Sequence, residues 1–189
     1  MSRLLLVLML GLSLPVLQGC LPVVAGGAAT GALMATDRRT SGIYIEDQSI
    51  ELKAQSRLDE KLKDRIHANT TSYNLSVLLT GEAFNEATRS EAESIVKAVP
   101  NVRQVYNELA IAPTAGFSAR SEDSVITTKV KARMIEAGKF QANHVKVVTE
   151  ANVVYLMCLV NHKEADDAVE LARTTSGVTK VVKLFEYLD

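Results

Sequence analysis

The chain repeats itself. Residues 50–58, "IELKAQSRL", match residues 126–134, "ITTKVKARM", with Ile, Lys, Arg and a closing Leu or Met in step at a spacing of 76. The same spacing lays "NVRQVYNEL" (101–109) on "GVTKVVKLF" (177–185), and Ala92 and Ile95 on Ala168 and Leu171. The central runs "VLLTGEA" and "YLMCLV" agree at 77, so one residue was inserted in the loop before the second of them. A duplication of this kind restricts the chain to two copies of one small fold.

Both copies carry the same order of signals. Ile50, Ala54, Leu58 and Leu62 recur at helical spacing, as do Ile126, Val130, Met134 and Ala137. Two β-type runs follow: "NTTSYN" and "SVLLTG" first, "HVKVVTE" and "VVYLMCLV" second, the latter pair parted by the turn-like Ala151-Asn152. A second helix is expected over 86–98 and 163–174, and a last strand over 102–111 and 178–187. Helix–strand–strand–helix–strand makes an α+β fold, with two helices on one face of a three-stranded sheet.

The N-terminus has a different character. Met1-Ser2-Arg3 is a short positive start, and residues 4–16 are apolar apart from Ser13, with Gly11 and Pro15 near the end. That is the layout of a secretory signal. The uncharged stretch runs on to Met34, but Pro22, Gly26, Gly27 and Gly31 interrupt it. A membrane-spanning helix needs about 20 strongly apolar residues. "LQGC", residues 17–20, resembles the lipobox of bacterial lipoproteins. The resemblance implies cleavage before Cys20 and acyl chains on its sulfur and new amine. The alternative is an ordinary signal followed by an incidental cysteine. Leu21 stands where inner-membrane lipoproteins carry Asp, so the resemblance implies the periplasmic face of the outer membrane. With Cys20 lipidated, Cys158 has no partner within the chain. It lies in an apolar strand-like run and reads as a buried, inert thiol rather than a reactive one.

The organisation expected is therefore a signal over 1–19, a lipid-anchored flexible tether over 20–45, a first domain over 46–112, a linker over 113–120 and a second domain over 121–189. The element order, the V-x-L-x-G strand at "VLLTGEA", and the closing "PNVRQVYNEL" and "SGVTKVVKLF" resemble the BON domain of bacterial envelope proteins. Two such domains behind a lipobox are similar to the dual-BON outer-membrane lipoproteins, over nearly the whole mature chain. The resemblance implies phospholipid association and a role in envelope integrity, extending in division-associated members to division sites. One position departs from the pattern: Gly81 of the first copy is Cys158 in the second, where strain or looseness is expected.

Catalytic chemistry finds no foothold. His67, His144 and His162 are not at metal-ligand spacing, and Cys158 has no neighbouring Cys or His. Nucleophile-elbow, phosphate-loop and dinucleotide fingerprints are missing. The acidic pairs Glu46-Asp47 and Asp166-Asp167 read as helix starts that favour the dipole. No enzyme activity, metal or cofactor is expected, and a net charge of −1 gives no pull towards nucleic acid.

The first helices distinguish the copies. In the first, the outward face carries Leu52, Ser56, Asp59, Glu60 and Lys63, an ordinary solvated surface. In the second it carries Val125, Thr128, Ala132, Ile135 and Lys139, flanked by Lys129, Lys131 and Arg133, with no acidic residue from Ser124 to Ile135. An outward Ile between basic residues suits a helix lying on an anionic, phosphatidylglycerol-like bilayer. Alternatively Ile135 packs against the other domain or the linker near Phe117, or against another protein. Glu164, Asp166, Asp167 and Glu170 make the second helix acidic, so the second domain is electrically two-sided. The first copy reads as a spacer or protein-docking module. The rival to lipid binding is a scaffold docking on an envelope assembly such as the outer-membrane protein insertion machinery.

Overall fold

The computed structural model describes residues 37–113 and 116–188. The signal, Cys20 and the tether as far as residue 36 lie outside the described residues. Helix α1 (Ser41–Leu62) is capped by Thr40, whose hydroxyl accepts from the Ile43 amide at 3.2 Å. It starts inside the segment read as tether. No apolar period precedes Ile50, and the early turns are held instead by polar contacts of Asp47. Strands β1 (Ile66–Tyr73) and β2 (Ser76–Ala83) follow, then α2 (Glu86–Lys97), β3 (Gln104–Asn107) and β4 (Ala110–Ile111). The second copy repeats the series: α3 (Phe117–Ala137), β5 (Val145–Glu150), β6 (Val153–Val160), α4 (His162–Arg173) and β7 (Lys180–Tyr187). The first turn of α3 likewise takes residues read as linker.

Each copy is a sheet with its middle strand antiparallel to the first and parallel to the last. Alternate residues of the middle strands, Val77 and Leu79 or Val154, Leu156 and Cys158, face the helices. They pack on the stripes Ile50, Ala54, Leu58, Leu62 and Ile126, Val130, Met134. Ala137, read as the last residue of the second stripe, is exposed because the helix ends there, on Gly138 in the left-handed conformation. The opposite faces of the two sheets meet: Tyr73 and Leu78 of the first copy form one buried cluster with Tyr155, Met157 and Leu184 of the second. The layers therefore run helices, sheet, sheet, helices.

The last strand of the first copy is interrupted without any change of register. Leu79 lies opposite Asn107 and Glu82 opposite Ala110, the same offset on either side of the break. The break faces Gly81, whose φ is +112°. A Cβ there would lie 2.1 Å from the His67 carbonyl oxygen. Cys158, the matching residue, needs no such backbone. It pairs with Val145 and Phe185 in an unbroken ladder, and its side chain is 1% exposed in the core. The strain expected at Cys158 is not there, because the second copy has a regular strand where the first has a glycine kink. Burial pushes the thiol up to about 12.

Both hairpins turn on two residues of positive φ, Asn74 and Leu75 in the first copy and Ala151 and Asn152 in the second. Each turn is gripped by a carboxylate of the copy's first helix. Asp47 accepts from the Asn74 and Leu75 amides at 2.8 Å each, and Asp123 from Ala151 and Asn152 at 2.9 and 2.8 Å. Asp47 is thus no dipole partner at a helix start. It is fully buried and also accepts from Ser72 Oγ at 2.7 Å. Asp167 sits in the second turn of α4 and pairs with Lys139 at 2.6 Å and Lys163 at 3.1 Å.

Candidate functional site

The outer face of α3 is laid down by the buried stripe behind it. With Ile126, Val130 and Met134 turned to the sheet, Val125, Thr128, Ala132 and Ile135 must face solvent. Ile135 is 70% exposed and Val125 51%. Exposure of this degree leaves most of the Ile135 side chain available on the helix face. Among the described residues Lys129 and Lys131 are exposed and form no ion pair. Burial of the Lys131 stem, with Lys146 nearby, lowers its pKa from the ordinary lysine value.

Two residues read as part of this face are committed elsewhere. Arg133 turns inward and donates to the Leu171 carbonyl at 2.8 Å and to Thr175 Oγ1 at 2.9 Å, closing the C-terminal end of α4. Arg57 does the same in the first copy, donating to the Ala98 carbonyl beyond α2 at 2.8 Å. The arginine shared by the two copies belongs to the fold. Lys139 is held by Asp167. What remains exposed is the strip Val125, Thr128, Lys129, Lys131, Ala132, Ile135, where the Thr128 hydroxyl donates back to the Ser124 carbonyl at 2.9 Å, and of these only Lys129 has the same residue type at the matching position, Lys53.

Beside the strip lies a groove of about 380 Å³ whose lining includes Glu122, Val125, Ile126, Lys129, Asn152 and Gly177. Gly177, at φ +97°, brings the loop before β7 so close to α3 that a Cβ would meet Ile126 at 3.0 Å. Among the described residues no cluster of His, Cys, Asp and Glu could hold a metal ion, and no helix is long and apolar enough to cross a membrane. Sequence reasoning missed apolar side chains of the first copy that stand in solvent, among them Ile45 on α1 and Phe84 after β2. Ile45 precedes the apolar period and Phe84 lies in a connection, so helical phasing had nothing to say of either.

Two α/β units of this topology place the chain in a class, and it belongs to the BON-domain family, matched at residues 46–113 and 122–189. It is 41% identical to the outer membrane lipoprotein DolP of Haemophilus influenzae over 92% of this chain and 91% of that one. It is 32% identical to a 21 kDa hemolysin of Actinobacillus pleuropneumoniae, over 81% and 80% of the two chains. With the osmotically-inducible protein Y of Escherichia coli K12 the identity is 27%, over 74% and 72%. The chain is a BON-domain protein of the outer-membrane envelope.

Proposed function

We propose that the protein is a non-catalytic lipoprotein held by acyl chains on Cys20 to the periplasmic face of the outer membrane, and that the outer face of α3 binds anionic phospholipid there. The observation that carries this reading is an Ile and a Val standing in solvent on one helix face beside two lysines without acidic partners. Each lysine adds about 1 kcal/mol on an anionic surface, and burying Ile135 adds about 1–2 kcal/mol. Such small terms suffice once an anchor keeps the helix near the bilayer. The family resemblance supports a role in envelope integrity, which in this reading extends to division sites.

The test is co-sedimentation of the chain from Leu21 onward with phosphatidylglycerol-containing and neutral vesicles. Wild type is expected to bind only the anionic vesicles, with binding lost in Ile135→Asp and Lys131→Glu. No binding at low salt, or equal binding by all three, refutes it. A second reading, docking of the first domain on another envelope protein, is favoured by Ile45 and Leu52, 61% and 75% exposed two turns apart on α1. It predicts that Leu52→Asp abolishes a partner contact and leaves vesicle binding intact.

A further inference from the structure

Residues 37–39 precede both family matches and yet touch both domains. Arg39 belongs to the first. Its guanidinium bonds Asp37 at 2.7 Å and Asp47 at 2.8 Å and lies over the ring of Tyr73, 4.1 Å from its centroid, with the Tyr44 ring at 5.0 Å. The Arg39 side chain is 8% exposed, so the residue is a fixed seat. Tyr73, held by that contact, crosses the seam and donates its hydroxyl to the His144 carbonyl at 2.9 Å. Arg38, next along the chain, reaches the second domain. It grips both oxygens of Glu164 at 2.7 Å and the Leu159 carbonyl at 2.7 Å.

We propose that residues 37–39 are a clasp that fixes how the two domains sit against each other, so that the end of the tether, and not only the sheet-to-sheet contact, sets the direction in which α3 faces. The seam is also crossed by single polar contacts, Asn74 and Arg103 to Glu186 at 2.9 and 2.8 Å and Asn69 to Glu150 at 3.2 Å, while its apolar part supplies area with little angular preference. A bidentate arginine–carboxylate pair supplies direction. The clasp closes on the right element, because Glu164 lies one turn before Asp167, and Asp167 holds Lys139 just beyond the Ile135 end of α3. Glu164 is itself oriented by a capping box with Asn161, which makes it a rigid receiver.

The test is a distance distribution between nitroxides at Ser56→Cys and Ala132→Cys, on the outer faces of α1 and α3, in the chain from Leu21 onward. Cys158 is buried and stays unlabelled. Wild type is expected to give one narrow distance. Arg38→Ala and Glu164→Gln are each expected to raise the broad component about tenfold, and the double variant no further. Glu164→Gln keeps its capping oxygen, and circular dichroism of each variant shows that both domains remain folded. One narrow distance in all four proteins overturns the clasp. Additive broadening also overturns it, because Arg38 and Glu164 would then act separately.

Discussion

Gly81→Ala is the most informative single change. At φ +112° a side chain is strained by about 1–3 kcal/mol. The new methyl carbon would also lie 2.1 Å from the His67 carbonyl oxygen, and as one is a Cβ set by the backbone and the other a backbone atom, no rotamer relieves the contact. Opening it to an ordinary contact must displace β1 relative to β2, and overpacking of this order costs about 1–3 kcal/mol more. The total, about 2–6 kcal/mol, is a large part of the stability of a small domain, about 5–15 kcal/mol. The assay is urea unfolding followed by circular dichroism, with the rate of Cys158 modification by a thiol reagent as a second signal. Cys158 lies in the second core, so its protection reports on that domain alone. The first domain is expected to unfold at much lower urea while Cys158 stays protected until a later transition. A Gly81→Ala protein within about 0.5 kcal/mol of wild type would refute the reasoning.

Further outcomes follow from the same geometry. Asp123→Asn weakens the grip on the second hairpin turn and is expected to cost about 1–2 kcal/mol by urea titration, and Asp47→Asn more, because Arg39 loses a buried partner as well. Arg133→Gln is expected to lower the melting temperature of the second domain while the folded protein keeps wild-type affinity for anionic vesicles. Arg38 beside Glu164 holds its carboxyl below the ordinary 4.5, so the stability it contributes is fully present above pH 4.5 and is lost as pH falls through the depressed value. An acid titration of domain docking should show that loss in wild type and not in Glu164→Gln.

The repeat made most of the fold legible. Most of the residues that coincide at the spacing of 76 turn out to be structural: the Ile of each stripe, Asp47 and Asp123 at the turns, Arg57 and Arg133 at the second helices, with the exposed Lys53 and Lys129 the exception. Helical phase alone puts Arg133 beside the lipid face. Its match to Arg57 was the signal that it has work inside the fold. The exposed strip lies at positions where the copies mostly differ, such as Ile135 against Asp59 and Lys131 against Gln55. Helical phase sufficed to place it, because a buried stripe fixes the opposite face. The domain seam was not legible. Tyr73, Leu78, Tyr155, Met157 and Leu184 alternate with core residues in their strands, and periodicity cannot say whether the second face of a sheet meets water or another sheet. Arg38 and Arg39 stand in a segment without period, where no pattern marks a contact so distant in the chain.

The gripped turns bear on the order in which the protein can fold. A hairpin normally starts at its own turn, with Gly or Asn supplying the positive φ. Here Leu75 and Ala151 must adopt it, and neither does so readily alone. The acceptors that hold these turns lie 27 to 29 residues earlier, on α1 and α3. Closing those loops comes before the hairpin gains from them. Each β-hairpin is therefore not a self-starting nucleus. Docking of the preceding helix is then expected to limit the rate, and stopped-flow refolding should show Asp47→Asn and Asp123→Asn slowing folding rather than merely hastening unfolding.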